Sequence, residues 1–409
     1  MHGENGLIIE NVFINLKSNV MNLKSNVMKF SKKLVAAAAL SLFFMACKKG
    51  NETIIPEEAT ASARASGKAG IAGYVYTLSN QASANSVLVY SRMTSGEISY
   101  VTSYPTGGNG TGAGLGSQGA VALSGDNSLL LAVNAGSNSL TSFTVSGGSL
   151  IWRSTVSSGG MRPISITVHN DLVYVLNAGG SGNISGFRLN DNDELQAIAG
   201  SVKPLSSSSS DPAQVSFTDE GTVLVITEKG TNKIVTYTVD DMGKPATMHS
   251  INSSTPTPFG FAVGKQGTIY VSEAAGGAPG ASVVSSYHVS ENGAIELLTG
   301  SVSAGQTAAC WVVVTNNEKF VYASNTGSST VSSFTPAKGD LMVLEAIAGA
   351  TGAGSSPIDA ALSVNSKFMY VLNAGINTIS VLEVAADGSL DLLQTVTGLQ
   401  AGTVGMIAK

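Results

Sequence analysis

Cysteine, histidine, tryptophan and charged residues are all scarce in this chain. Of its 409 residues only two are cysteine, four are histidine and two are tryptophan, and only 12% are charged. Two cysteines exclude a disulfide framework as the main stabilising element. The histidines have no partner histidine at the spacing of metal ligands, so we predict no metal site. A net charge of −5, without a clustered basic face, argues against a nucleic-acid partner.

The composition of the rest of the chain favours strands. Glycine accounts for 47 residues, and serine, threonine, valine and alanine fill much of the remainder. Such a mixture is typical of many short strands joined by tight turns, and the apolar residues show no helical period. We therefore expect an all-β fold.

The N-terminal region carries a targeting signal. From Met28 it reads MKFSKKLVAAAALSLFFMACKKG, a positive stretch followed by a short apolar run and then Cys47. This is the order of a secretory signal, and the run is too short and wrongly flanked for a spanning helix. The small residue before Cys47 resembles the lipobox of bacterial lipoproteins, which implies cleavage before Cys47 and its acylation. The alternative is a buried N-terminal helix with a free cysteine.

These features divide the chain into four parts. Residues 1–27 contain the duplicated segment NLKSNVM and are interpreted as an upstream extension or a mis-assigned start. Residues 28–46 are the predicted lipoprotein signal peptide, and residues 47–70 are a polar, flexible tether. The folded domain is expected over residues 71–409. We expect a monomer in the bacterial cell envelope, anchored in the membrane through the lipid and extracytoplasmic, at the outer membrane or in the periplasm.

The remaining sequence repeats at intervals of near fifty residues. The hexapeptide YVLNAG occurs twice, and related segments occur at five other places. Seven such units indicate a repeat architecture. The segments begin at Tyr74, Leu131, Tyr174, Leu224, Tyr270, Tyr322 and Tyr370.

Each unit contains four short apolar or alternating segments separated by turns. Four antiparallel strands in each of seven units predict a seven-bladed β-propeller, an all-β fold. No inner strand precedes Tyr74, whereas the C-terminal sequence GTVGMIAK matches the inner-strand pattern. We therefore predict that the C-terminal strand completes the first blade and closes the ring, which removes its exposed edges.

The repeated Asn-Ala-Gly has two explanations. It is either a repeated ligand-binding element or a turn that every blade needs. Asn177 and Gly179, like Asn373 and Gly375, fall where a hairpin turns, and Asn and Gly tolerate the positive φ of such turns. We therefore interpret the repeat as turn chemistry.

Three other segments are interpreted as structural. GLGSQG at residues 114–119 matches G-x-G-x-x-G, but a strand follows it instead of a helix, so we predict a flexible loop between blades and no phosphate or other cofactor site. DNDE at residues 191–194 lacks the ligand spacing of a calcium loop and is predicted to be a solvated turn. Cys310 is predicted to be a small buried hydrophobe.

The blades resemble the bacterial lactonase family of seven-bladed propellers, which includes 6-phosphogluconolactonases and carboxymuconate-lactonising enzymes, and also the Tyr-Val-Thr-Asn repeat propellers. The resemblance covers roughly residues 73–409. It implies a Pro-Arg-His stretch before the inner strand of a middle blade and a glutamate after the next Tyr-Val strand. Here that stretch reads Pro258-Phe259-Gly260, and Glu273 stands at the glutamate position.

The resemblance also supplies the candidate site residues. Glu273 is the candidate base, and Arg162 and Lys229, at equivalent points of neighbouring repeats, are the candidates for stabilising an anion. The loop from Glu273 to Ser282 is the longest of its kind and is predicted to shape the site. Three further residues are candidates for ligand binding, namely Glu228, Gln214 and Asp359.

Two functions remain open. One is hydrolysis of a small lactone or ester, which the resemblance implies. The other is a non-catalytic ligand-binding or cell-envelope interaction propeller, because the arginines and histidines of the family are not matched here. A lactone or sugar derivative is the expected small-molecule partner.

Overall fold

The structure, a computed structural model, describes residues 70–337 and 340–409. These residues form seven antiparallel sheets, so the predicted all-β seven-bladed propeller is confirmed. The described residues contain one helical turn, η1 (Ala275–Gly277), and no helix long and apolar enough to cross a membrane. The predicted extension, signal peptide and lipidation site, and the tether up to residue 69, lie outside the described residues.

Within the described residues, 29 strands make up the seven blades. Those of blades 1 to 4 are β1 (Ile71–Leu78), β2 (Ser86–Met93), β3 (Ile98–Pro105), β4 (Val121–Leu123), β5 (Leu129–Asn134), β6 (Ser139–Ser146), β7 (Ser149–Ser157), β8 (Pro163–His169), β9 (Leu172–Asn177), β10 (Asn183–Leu189), β11 (Leu195–Ala197), β12 (Lys203–Pro204), β13 (Pro212–Phe217), β14 (Val223–Glu228), β15 (Lys233–Val239) and β16 (Pro245–Asn252). Those that follow are β17 (Pro258–Val263), β18 (Thr268–Glu273), β19 (Val283–Val289), β20 (Ile295–Ser303), β21 (Ala309–Val314), β22 (Val321–Asn325), β23 (Thr330–Ala337), β24 (Asp340–Ala350), β25 (Pro357–Leu362), β26 (Phe368–Asn373), β27 (Thr378–Val384), β28 (Leu390–Val396) and β29 (Val404–Ala408).

The strands of each blade run outward from the ring axis in chain order, except that the C-terminal strand β29 comes first in blade 1. Blade 2 is β4-β5-β6-β7, and blades 4 to 7 repeat this order from β13 to β28. In blade 3 both β11 and β12 pair with β10, so two short strands share the outer position. The first strands of neighbouring blades contact one another around the ring and line its central tunnel.

Burial within a blade follows the position of the strand. The second strands β5, β14 and β26 are buried along their whole length, because neighbouring blades cover both faces of the sheet. The outer strands, such as β20, are largely exposed. This gradient explains why the Tyr-Val segments, which form the second strands, are the most recognisable part of the repeat.

The C-terminal strand closes the ring, as predicted. β29 pairs with β1, so blade 1 has the order β29-β1-β2-β3. The backbones of Tyr74 and Lys409 exchange two hydrogen bonds, and Arg92 Nη2 donates to the Lys409 carbonyl at 3.2 Å. The two ends of the domain are therefore held in one sheet, which leaves no gap in the ring.

Candidate functional site

The residue that ends the second strand has the same role in six blades. It is an asparagine in four of them and a glutamate in blades 4 and 5, and in each it is almost completely buried. In blade 7, Asn373 Nδ2 donates to the hydroxyls of Thr378 at 3.1 Å and Ser380 at 2.8 Å on the third strand. The side chain therefore ties the turn to the blade. The six residues are Asn134, Asn177, Glu228, Glu273, Asn325 and Asn373.

The structural explanation of Asn-Ala-Gly holds, but the predicted mechanism is wrong. Neither Asn177 nor Gly179 has a positive φ, and the left-handed residue comes later in the turn, at Gly180 and Gly182. Gly179 is required for a different reason, since a Cβ there would lie 2.7 Å from the Cβ of Met161 on the preceding link. The glycine allows two loops to approach closely, and the asparagine bonds inside the blade.

Glu273, the predicted base, is the blade 5 member of this set. Its side chain is 0% exposed. Its Oε2 accepts from the Thr255 amide at 2.8 Å and from Ser285 Oγ at 2.9 Å, and its Oε1 accepts from the Ser254 amide at 3.1 Å and from the Tyr287 hydroxyl at 2.5 Å. Burial raises the pKa of Glu273, and these hydrogen bonds oppose the rise. None of the four donors is cationic.

Glu228 is held in the same way in blade 4. Its Oε1 accepts from the Ser206 amide at 2.8 Å, and its Oε2 accepts from the hydroxyls of Ser206 and of Thr231. Both glutamates accept from the backbone of the link that precedes their own blade, and Asn177 likewise donates to the Ser158 carbonyl of the link before blade 3 at 3.1 Å. Both are engaged within the protein and not presented to the tunnel.

Residues 114–119, here called the plug, cross the tunnel mouth. They belong to the 15-residue link between β3 and β4, the longest between consecutive blades. Ser117 Oγ donates to the Ile164 carbonyl of blade 3 at 2.8 Å, and the Gln118 amide donates to the Ala213 carbonyl of blade 4 at 3.2 Å. The segment links two blades as predicted, but it is packed against several others and is not the flexible loop expected.

Gln118 completes a set of contacts between neighbouring inner strands. In blade 4, Gln214 exchanges hydrogen bonds with both backbone groups of Phe261 in blade 5, with distances of 3.0 and 2.7 Å. Blade 5 has Gly260 at the corresponding place, so it has no side chain to reach blade 6. Gln118 takes that role and bonds the amide and carbonyl of Val312 at 3.1 and 2.9 Å.

Gly260 leaves the space that Gln118 occupies. A Cβ on Gly260 would lie 2.1 Å from Gln118 Oε1 and 2.6 Å from the Cys310 carbonyl oxygen. The predicted ligand-binding role of Gln214 is untested, and in this structure its amide holds two blades together. The inner strands would otherwise present unpaired backbone groups to the tunnel, and these amides satisfy several of them.

An apolar cluster fills the mouth beside the plug. The rings of Phe259 and Trp311 lie 4.9 Å apart between centroids, and Trp311 Nε1 donates to the Ser117 carbonyl at 2.9 Å. Cys310 belongs to the same cluster and is buried, as predicted, and burial raises the pKa of its thiol to about 11. A thiol in this state is a poor nucleophile.

Lys229 and Arg162 do not meet Glu273. Lys229 Nζ donates to the Gly116 carbonyl of the plug at 2.7 Å, lies 4.7 Å from the Phe259 ring centroid, and is 3.5 Å from Asp211 Oδ1. Burial lowers the pKa of Lys229, and the charge of Asp211 opposes this. Arg162 is exposed, and its side chain makes no hydrogen bond or ion pair with any described residue.

Asp359 lies at the seam between blades 7 and 1. Its Oδ2 accepts from the Gly405 amide at 2.7 Å, and it also bonds the Gly119 amide at the end of the plug. Burial raises the pKa of Asp359 to about 7, because two backbone amides only partly replace water. From Gln118 and Gly119 onward the tunnel continues as a cavity of about 360 Å³ between the inner strands.

Comparison with known proteins agrees with the fold. Residues 71–203 match the family described as lactonase, 7-bladed beta-propeller. Over these residues the chain is similar to that family. No curated protein sequence gives a significant match.

Solved structures resemble this propeller over most of the length of the chain. A putative 6-phosphogluconolactonase from Bacteroides fragilis is 17% identical with a TM-score of 0.62, covering 82% of this chain and 98% of that one. One from Bacteroides uniformis is 16% identical with a TM-score of 0.64, covering 81% and 99%. The periplasmic gluconolactonase of Pseudomonas aeruginosa is 16% identical with a TM-score of 0.60, covering 81% and 98%. At these identities the likeness concerns the fold.

Sequence reasoning missed the packing of the plug, through Gln118 and Ser117, against Gly260 and Trp311. Two signals in the sequence point to it. The spacing between the first two repeats is 57 residues, the largest of the six, which reflects the long link that carries the plug. Gly260 also stands where blades 4 and 7 have a polar side chain, so a missing contact had to be supplied from elsewhere.

Proposed function

We propose that this lactonase-like propeller is a non-catalytic binding module, held outside the cytoplasm by a lipid on Cys47. The observation that carries the proposal is the filled tunnel mouth. Gln118 occupies the space left by Gly260, at the point where the lactonase resemblance implies a histidine. Phe259, where the resemblance implies an arginine, packs against Trp311.

The chemistry of lactone hydrolysis supports the same view. The reaction needs a base that can reach water and a cation or hydrogen-bond donor beside the developing oxyanion. Glu273 is fully buried with four donors around it, and Lys229 is engaged by the plug and by Asp211. Neither group is free for a substrate in this structure.

Hydrolysis of a small lactone is the second candidate. It is favoured by the family match over residues 71–203 and by the burial that raises the pKa of Glu273, the direction expected of a carboxyl that acts as a general acid or base. This function requires a rearrangement that releases Glu273 from its four hydrogen bonds and opens it to substrate.

A lactone assay separates the two candidates. Purified protein is tested by pH-stat on phosphorylated sugar lactones, plain sugar lactones and aliphatic lactones. We expect no turnover above the spontaneous rate. Turnover that is abolished in Glu273→Gln, or strongly reduced in the exposed variant Arg162→Ala, with unchanged melting curves, would contradict the proposal and establish a hydrolase.

The anchor is tested separately. The residues from Lys29 to Cys47 have the charge and apolar order of a lipoprotein signal, which supports attachment to the bacterial cell envelope. In fractionated cells that make the full chain, we expect the protein in the membrane fraction and Cys47→Ser outside it. Equal membrane association of both proteins would rule out a lipid on Cys47.

A further inference from the structure

A groove at the seam between blades 7 and 1 has the properties of a ligand site. It has a volume of about 590 Å³, within the size range of small-molecule sites, and it is separate from the tunnel. One wall is the turn between β1 and β2, and the other is residues 396–400 after β28. From these observations we propose that the groove binds a neutral saccharide. This inference rests on the binding function proposed above and specifies its ligand.

The groove exists because blade 1 departs from the repeat. Its turn between the second and third strands of the sheet, residues 79–85, has seven residues, whereas the matching turn of blade 2, residues 135–138, has four. At one end of the seam Gln394 bonds both backbone groups of Ile98, at 2.8 and 3.0 Å, and joins the two blades there. The longer turn and this tie leave an open space between them.

The groove is also preformed. Asn80 Nδ2 donates to the Gly402 carbonyl at 3.0 Å and to the Ala113 carbonyl at 2.8 Å, and Gln81 Nε2 donates to the Ala401 carbonyl at 2.9 Å. These bonds fix the turn of blade 1 to the segment that leads into β29. A ligand therefore meets walls that need little ordering, which lowers the entropy cost of binding.

The lining identifies the class of ligand. None of the groove-lining residues carries a charge, which excludes an ionic anchor for a phosphate or carboxylate. Tyr90 lines the groove with only 4% of its surface exposed, and its hydroxyl has no hydrogen-bond partner among the described residues. The side chains of Ser103, Thr397 and Gln400 also make no hydrogen bond there. Hydroxyls and amides that both donate and accept match the hydroxyls of a sugar.

An exposed aromatic ring completes the site. Tyr100 is 56% exposed and packs edge-on against Tyr90, with ring centroids 5.6 Å apart. A tyrosine ring held in this way offers an apolar face beside a polar rim, which suits the apolar face of a pyranose ring. Leu88 and Leu399 add apolar lining, so the groove combines an apolar surface with uncharged polar groups.

Blade 2 offers a matched control. Trp152 occupies the same register on β7 as Tyr100 on β3, since Phe143 pairs with Trp152 as Tyr90 pairs with Tyr100. Trp152 is 55% exposed but does not line the groove. Truncating either ring removes similar exposed aromatic area, and only one of the two changes touches the proposed site.

The experiment is calorimetric titration of the purified protein with maltotriose, cellotriose and chitotriose, with trigalacturonate as the charged counterpart. We expect saturable binding of at least one neutral trisaccharide, weakened about tenfold or more by Tyr100→Ala and less by Tyr90→Phe, and unchanged in Trp152→Ala. No binding of any neutral trisaccharide, equal binding by Tyr100→Ala, or equally tight binding of trigalacturonate would overturn the inference. Lactone turnover that depends on Glu273 would refute the proposed function without affecting this result.

Discussion

Blades 5 and 7 are built from the same four-strand unit, but each places its buried carboxylate at a different point. Blade 7 has Asp359 on its inner strand and Asn373 at the end of its second strand. Blade 5 has Gly260 and Glu273 at the corresponding places. The exchange shows that Glu273 does in blade 5 the structural work that an amide does in blade 7.

The two carboxylates also differ in the number of hydrogen bonds that they accept. Glu273 accepts four hydrogen bonds, two from side-chain hydroxyls of its own blade and two from backbone amides. Asp359 accepts from the backbone amides of Gly405 and Gly119. Glu273 is therefore expected to contribute strongly to the stability of its blade, whereas Asp359 in its charged form is expected to cost stability.

The largest loss of stability is expected when Glu273, the carboxylate that accepts more hydrogen bonds, is removed. Glu273→Ala removes the acceptor of the buried Ser285 and Tyr287 hydroxyls and of two backbone amides, and it should lower the free energy of unfolding by about 3 kcal/mol. The matched change in blade 7, Asn373→Ala, should cost about 1 kcal/mol, because the hydroxyls it leaves can rotate toward other acceptors. Urea unfolding measures both. An Asn373→Ala cost equal to that of Glu273→Ala would contradict the difference argued between the blades.

The second prediction concerns the inner strands, where blade 5 has Gly260 and blade 7 has Asp359. A side chain placed at position 260 removes this difference. Gly260→Ala gives blade 5 a Cβ that collides with Gln118 and the Cys310 carbonyl, and it should cost about 2 kcal/mol. The displaced plug should also raise the fluorescence response of Trp311 to added quencher. Gly125→Ala, at a site with nothing within 4 Å, should leave both readouts unchanged. An unperturbed Gly260→Ala would show that Gln118 does not occupy the space assigned to it.

The propeller could be predicted from the sequence because its signals are local. A segment related to the Tyr-Val strand recurs in each unit, Asn-Ala-Gly ends it in three of them, and the strand that closes the ring has the inner-strand pattern. The site could not be predicted in the same way. Gln118 and Val312 are 194 residues apart in the chain, and only the closed ring brings them together. The partners of Glu273 likewise come from a link and a third strand that have no pattern of their own.

The smallest expected effect concerns the pH dependence that Asp359 adds to blade 7. Its pKa is about 7 in the folded chain against an ordinary value of 3.8, so the unfolded chain loses its proton first as the pH rises. The contribution of protonated Asp359 to the free energy of unfolding is therefore complete below about pH 4. It falls as the pH rises toward about 7, where the buried carboxyl becomes charged. Asp359→Asn remains uncharged and should exceed the parent protein in stability by at least about 1 kcal/mol above pH 7.

Urea unfolding at acidic and alkaline pH distinguishes this effect from a general change in stability. The comparison is Asp387→Asn, also in blade 7, where hydrogen bonds from Ser389 lower the pKa of an exposed aspartate. That variant should gain no stability at high pH, because its charged form is the favoured one. If Asp359→Asn differs from the parent protein by the same amount at both pH values, Asp359 titrates normally in the fold. In that case the two blades differ only in where their hydrogen bonds are made.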